Sequence, residues 1–157
     1  MTLRMQFENE LNQLGAGGAT AVDLTAGNRR LTCDLVERNS LAVAFQTLRV
    51  TTPELADATS ASLERLAKDL SARLTYLMEP IRPIEIDADA CVAQLRSSPP
   101  QRDDDGRSYY ELTVRRGGEL ALARYRKEPG TARQQIPATV TREVLLRLVD
   151  DFVAVLN

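Results

Sequence analysis

The stretch TPELADATSASLERLAKDLSARLTYLM, residues Thr52–Met78, decides how the rest of the chain has to be arranged. Thr52 can cap a helix, Pro53 suits a first helical turn because its φ is fixed and it lacks an N–H, and Glu54 sets a carboxylate at the positive helix end. Leu55, Leu63, Leu66, Leu70, Leu74 and Leu77 then recur at spacings of three, four and their sums, with Glu64, Arg65, Lys68, Asp69 and Arg73 largely between them. This predicts one long helix with a single buried stripe. At 1.5 Å per residue it would run roughly 35–40 Å, enough to lie across a whole sheet of a small domain.

Upstream of this helix the pattern is alternation. Gly27–Asn28 is a two-residue hairpin turn that sets Leu24 opposite Leu31 and Val22 opposite Cys33. A three-residue loop at Arg38–Asn39–Ser40 would set Leu35 opposite Val43 and Cys33 opposite Phe45, with Asn39 or Ser40 in the left-handed position. The apolar parity of the third strand shifts from Val43 and Phe45 to Leu48 and Val50, which predicts a bulge near Gln46–Thr47. Ahead of this meander, Thr2 can cap a first helix whose Leu3, Phe7, Leu11 and Leu14 share a face, and Gly15 supplies a left-handed end. The run Gly15–Ala16–Gly17–Gly18 lacks the lysine and the following helix start of a phosphate loop.

Downstream, Pro80 and Pro83 keep the chain extended, and Ile84, Ile86 and Ala88 alternate with Glu85, Asp87 and Asp89 as on an exposed antiparallel strand. Cys91–Arg96 reads equally as a strand or a short helix. Residues 97–107, with Pro99–Pro100 and Asp103–Asp104–Asp105, read as a mobile loop within the domain. Tyr109–Lys127 is a hairpin, and Thr141 caps a last helix with Leu145, Leu148, Phe152 and Leu156 on one face. Strands followed by a helix thus occur twice, leaving an internal duplication open.

The 157 residues fit one domain spanning 1–157, and a hydrophobic fraction of 43% with 27% charged residues is ordinary for a globular chain. No segment is apolar for the length of a membrane span, and Met1 is followed by an amphipathic polar stretch where a secretory leader would have an apolar run. The expected location is the cytoplasm. Cys33 and Cys91, in separate apolar contexts, read as buried reduced thiols. A net charge of −2 gives no general attraction to nucleic acid or anionic membranes.

With no histidine in the chain, acid–base chemistry would fall to carboxylates, Lys68, Lys127, tyrosines or cysteines, and none has a recognisable partner in sequence. Asp103, Asp105 and Gly106 match part of a calcium loop, but its closing carboxylate is needed at Leu112 and Glu111 stands one residue early. The triplet reads as a solvated loop. Asp87 and Asp89 share a strand face with nothing converging on them, so no catalytic residue, metal or cofactor is expected.

The late hairpin carries the candidate interface. A two-residue Gly117–Gly118 turn would pair Val114 with Ala121, Leu112 with Ala123 and Tyr110 with Tyr125 on the core side. Alternation then turns Leu120 and Leu122 outward, ringed by Tyr109, Glu111, Arg115, Arg124 and Arg126. An apolar centre with an aromatic and arginine rim is the composition of a protein interface. The candidate interface residues are Tyr109, Arg115, Leu120, Leu122, Arg124 and Arg126, unless a second layer of the same chain covers the two leucines. Arginine interleaved with tyrosine on a sheet face could also grip the phosphates and stack the bases of a nucleic acid, but an acidic chain whose only lysines are Lys68 and Lys127 argues against that.

The order helix, three strands, long helix, glycine-turn hairpin and final helix ending Leu148–Val149–Asp150–Asp151–Phe152–Val153 resembles the small acidic dimeric chaperones of type III secretion, with Pro80–Ser98 as an insertion. That resemblance implies a dimer that binds another protein. The expectation is a single α+β domain, a mostly antiparallel sheet with the central and C-terminal helices packed on one face in the order α-βββ-α-β(β)-ββ-α. The leading function is a non-catalytic module that binds a protein partner or itself, most simply as a homodimer. The rival from another class is a carboxylate-dependent enzyme with or without a divalent cation.

Overall fold

The computed structural model describes residues 1–157. The chain runs α1 (Leu3–Leu14), β1 (Thr20–Ala26), β2 (Arg29–Arg38), β3 (Ala42–Thr51), α2 (Ser60–Arg73), β4 (Ile81–Asp87), β5 (Val92–Ser97), β6 (Gln101–Arg102), β7 (Arg107–Arg115), β8 (Glu119–Lys127), β9 (Gln134–Ile136), β10 (Ala138–Thr141) and α3 (Arg142–Val155). The α+β architecture and element order follow the sequence expectation. All strands join one antiparallel sheet, ordered β1-β2-β3-β8-β7-β5-β4, with β10 on β3, β6 on β7 and β9 on β8. The ambiguous Cys91–Arg96 segment is strand.

Two apolar rows cross nearly the whole sheet on the face that the helices cover. One runs Val22, Cys33, Leu48, Leu122, Leu112 and Leu95, and the next runs Leu24, Leu31, Val50, Leu120, Val114 and Ala93. Leu63, Leu66, Ala67 and Leu70 of α2 and Leu145, Leu148, Val149 and Phe152 of α3 close over these rows, and Phe7 and Leu11 of α1 join the same core. Directly opposed apolar residues on adjacent strands are the unit of sheet stability, so this register is strongly held.

The central helix is shorter than its leucine pattern. Thr52 caps only a single 3-10 turn over Pro53–Leu55, and α2 starts anew at Thr59, whose side chain and that of Ser62 form a reciprocal capping box. The first cap is anchored elsewhere, because the Thr52 N–H donates to the carbonyl of Gly118 at 2.8 Å. At the other end the helix stops at Arg73, and Leu74 and Leu77 stay buried from irregular backbone. A buried stripe therefore outlasts the helix that suggested it.

In the first hairpin the Gly27–Asn28 turn and the Leu24–Leu31 and Val22–Cys33 pairs stand as expected. The bulge at Gln46–Thr47 is also present, since Cys33 pairs with Leu48 while Leu35 pairs with Phe45. A compensating irregularity at Val36 and a wider β2–β3 loop replace the expected pairs Leu35–Val43 and Cys33–Phe45. The Asn39 side chain closes that loop by accepting from the N–H groups of Leu41 and Ala42, so no left-handed residue is needed.

The late hairpin differs by one residue. Its loop is Arg116–Gly117–Gly118, so Val114 pairs with Leu120, Leu112 with Leu122 and Tyr110 with Arg124. Tertiary contacts select this loop. Arg116 donates from its backbone to Cys91 O and from its side chain to Ala58 O, and Gly118 sits at φ +90° against Thr52. A Cβ at Gly118 would lie 1.7 Å from Thr52 O, whereas one at Gly117 would meet nothing. Gly118→Ala is therefore expected to cost at least about 1–3 kcal/mol in urea denaturation, and Gly117→Ala close to nothing. Equal losses from the two would contradict the three-residue loop.

Candidate interaction surface on the outer sheet face

The helices pack on one face of the sheet and leave the other open. On that outer face small side chains lie between long ones. Thr47 of β3, Thr113 of β7 and Ala121 and Ala123 of β8 floor a trough of about 210 Å³, with Arg49, Arg115, Glu119, Glu111, Tyr125 and Gln135 around it. The trough owes its shape to the bulge. At Gln46–Thr47, β3 parts from β8, and β9 and β10 fill the gap, pairing with β8 and β3 respectively. Gln135 fastens this insertion by donating to Gln46 O at 2.9 Å and Thr47 Oγ1 at 3.0 Å.

One end of the trough is a packed cluster around Glu111, which is 6% exposed. Arg133 donates to its carboxylate at 2.6 and 3.3 Å and Arg96 at 3.0 Å. Burial pushes the Glu111 carboxyl up, but hydrogen bonds from Arg133, Gln94 and Arg96 outweigh it, and the group lies below its ordinary value. Both arginines also stack on tyrosines, Arg133 over Tyr125 at 3.9 Å and Arg96 over Tyr109 at 4.6 Å, and the two rings lie 6.1 Å apart. At the other end Arg49 is paired with Glu119 at 3.0 Å and Arg115 stands exposed.

The expected interface residues are divided between the two faces. Tyr109 and Arg115 both lie on the outer face, Arg115 exposed and Tyr109 only 3% exposed beneath the guanidinium of Arg96. Leu120 and Leu122 point into the core with no exposure, which removes the basis for their interface role. A one-residue slip in pairing exchanges the faces of one strand relative to the other. Arg124 is buried on the helix-covered side, stacked on Tyr110 at 4.5 Å and paired with Glu79 at 2.9 Å. Arg126 shares that side of β8 and grips Asp103 of the β6–β7 turn. Sequence reasoning placed Glu111 at the rim, whereas it is the centre of the cluster. It missed Arg96, Arg133 and Arg49, which reach this face from three other parts of the chain.

Segment 97–107 carries β6, which pairs with Arg107 and Ser108. Asp103 accepts from the N–H groups of Asp105 and Gly106 and binds Arg126, which holds its carboxyl at about 2. These bonds make Asp103 a turn-closing group. No cluster of three or more His, Cys, Asp or Glu side chains converges as a metal site would require, and Cys33 and Cys91 are both buried free thiols. No helix is long and apolar enough to cross a membrane. No protein-family model matches the chain, and neither curated proteins nor solved structures show a significant match to it. The resemblance in element order to secretion chaperones finds no counterpart in these comparisons.

Proposed function

We propose that the protein is a non-catalytic binding module that docks a carboxylate-bearing segment of a protein partner on its outer sheet face. The observation that carries this reading is the uncovered Arg–Tyr surface with its floor of small side chains. Arg49, Arg96, Arg115 and Arg133 outnumber Glu111 and Glu119 there, which favours an acidic partner. Carboxylate partners and stacking hold the arginines other than Arg115 in fixed positions, so a partner would meet groups that lose little further freedom on binding. The trough's volume of about 210 Å³ falls below the several hundred Å³ usual for small-molecule sites. A nucleic-acid reading is weaker because the guanidinium groups of Arg96 and Arg133 already occupy the faces of Tyr109 and Tyr125 on which bases would stack.

The test uses an array of acidic peptides beside matched peptides with Gln and Asn at the acidic positions. Acidic peptides should bind selectively, bind less at high salt, and lose at least about tenfold in affinity to the variant Arg49→Gln with Arg115→Gln, whose melting should match the parent. Equal retention of both peptide sets, or unchanged binding by the folded variant, would refute the reading.

A further inference from the structure

The two ends of the sheet are built differently. At the β4 edge, Pro83 lacks a donor, the register shifts between Pro83 and Glu85, and Glu85, Asp87 and Asp89 add charge, all devices that discourage another strand from joining. The β1 edge lacks the proline and the register shift, and its one charged residue, Asp23, is paired with Arg30 of β2. Thr20–Ala26 contains no proline, no lysine and no bulge, and pairs with β2 in unbroken register along its whole length.

The free groups on that edge follow from the turn. Next to a two-residue hairpin turn the flanking residues, here Ala26 and Arg29, form the hydrogen-bonded pair, and such pairs alternate along the ladder. Ala26, Leu24, Val22 and Thr20 therefore bond to β2. Ala21, Asp23 and Thr25 direct their N–H and C=O groups away from the sheet, and all three residues are exposed. A seven-residue strand with three unpaired donor and acceptor sets in a row is a template for strand addition.

We infer that the occupant of this edge is β1 of a second copy of the chain, antiparallel about a two-fold axis at Leu24. This goes beyond the outer-face reading and does not depend on it. Three two-fold registers bring two or more of the outward residues into reciprocal pairs. Centring on Asp23 would oppose two carboxylates directly, which is unfavourable. Centring on Val22 would set half-buried Leu24 against Thr20. Centring on Leu24 opposes Leu24 to its own copy and Val22 to Ala26, keeping the apolar residues together on the helix side.

The same register is complementary in charge. Asp23 binds Arg30 of its own β2 at 2.8 Å, and Arg30 lies directly opposite Thr25. With Thr25 facing Asp23 of the second copy, Arg30, Thr25 and that Asp23 form one row on the outer face. Two strand spacings of about 4.8 Å place the ends of this row about 10 Å apart at Cα, within the combined reach of both side chains. Each arginine then lies between two carboxylates, an alternating network closed by the two-fold axis. In this register Leu24 is a non-hydrogen-bonded pair with its copy, where side chains approach most closely.

Light scattering should give twice the chain mass for the parent protein. Thr25→Pro removes an outward N–H while leaving the β1–β2 ladder intact, and should give the single mass with an unchanged circular-dichroism spectrum. In a Cys33→Ala background, because Cys33 lies directly opposite position 22, Leu24→Cys should oxidise to a covalent dimer, while Asp23→Cys and Val22→Cys, central in the competing registers, should not. If Thr25→Pro fails to fold, the cysteine series alone decides. A parent of single mass at high concentration, a folded Thr25→Pro that keeps the double mass, or cross-linking at position 23 or 22 in preference to 24 would overturn the proposal.

Discussion

Leu122→Glu is expected to abolish the cooperative thermal unfolding transition, while Ala121→Glu, one residue away, leaves it nearly intact. Leu122 has no exposure and lies mid-row between Leu48 and Leu112 beneath the helices, whereas Ala121 faces the trough. Truncating a fully buried leucine costs about 2–5 kcal/mol, and a carboxylate left there without a partner adds several more. That sum reaches the whole stability of an ordinary domain, about 5–15 kcal/mol. The two substitutions add the same charge to the same strand, so their contrast measures only which face each residue occupies. A folded Leu122→Glu with Ala121→Glu unfolded would show the two-residue turn and the opposite register.

This slip shows where the sequence was legible and where it was not. In the first hairpin Gly27–Asn28 admits one short turn, and the apolar pairs it makes agree with the pattern on both strands. The third strand announced its bulge by shifting apolar parity, and the backbone follows at Gln46–Thr47. Gly117–Gly118 is different because two adjacent glycines fit a two-residue or a three-residue loop equally well. The deciding contacts come from Thr52, Ala58 and Cys91, far away in sequence. One local signal did favour the correct register, since only that register puts Leu120, Leu122, Leu112 and Val114 on a single face.

The helix between Thr52 and Met78 failed at its ends for a related reason. Leucine spacing reports burial, and Leu74 and Leu77 are buried without being helical. The strands β9 and β10 carry too few residues for any periodicity, and they exist because the bulge opens a gap that they fill. The outer-face cluster draws Arg96 and Glu111 from two strands and Arg133 from the loop before β9, so no spacing along the chain could have signalled it.

Glu79→Leu alone is expected to cost about 3–5 kcal/mol, and the double substitution Glu79→Leu with Arg124→Met to return stability to within about 1 kcal/mol of the parent. Glu79 follows α2 and reaches the helix-covered side of β8, where its carboxylate meets Arg124 at 2.9 Å with only 11% and 10% of the two side chains exposed. Removing the carboxylate strands a buried guanidinium, whose remaining support is a hydrogen bond to Gln101 at 3.1 Å and the ring of Tyr110. A buried ion pair offsets its desolvation only when its other polar atoms are also satisfied, and Oε1 of Glu79 has no hydrogen-bond partner. The pair is thus costly to break and cheap to replace, because two apolar side chains of similar length remove both desolvation penalties together. Urea denaturation of the parent, both single variants and the double variant closes the cycle. Additive losses in that cycle would show that Glu79 and Arg124 act independently and that the ion pair does not hold this end of the sheet.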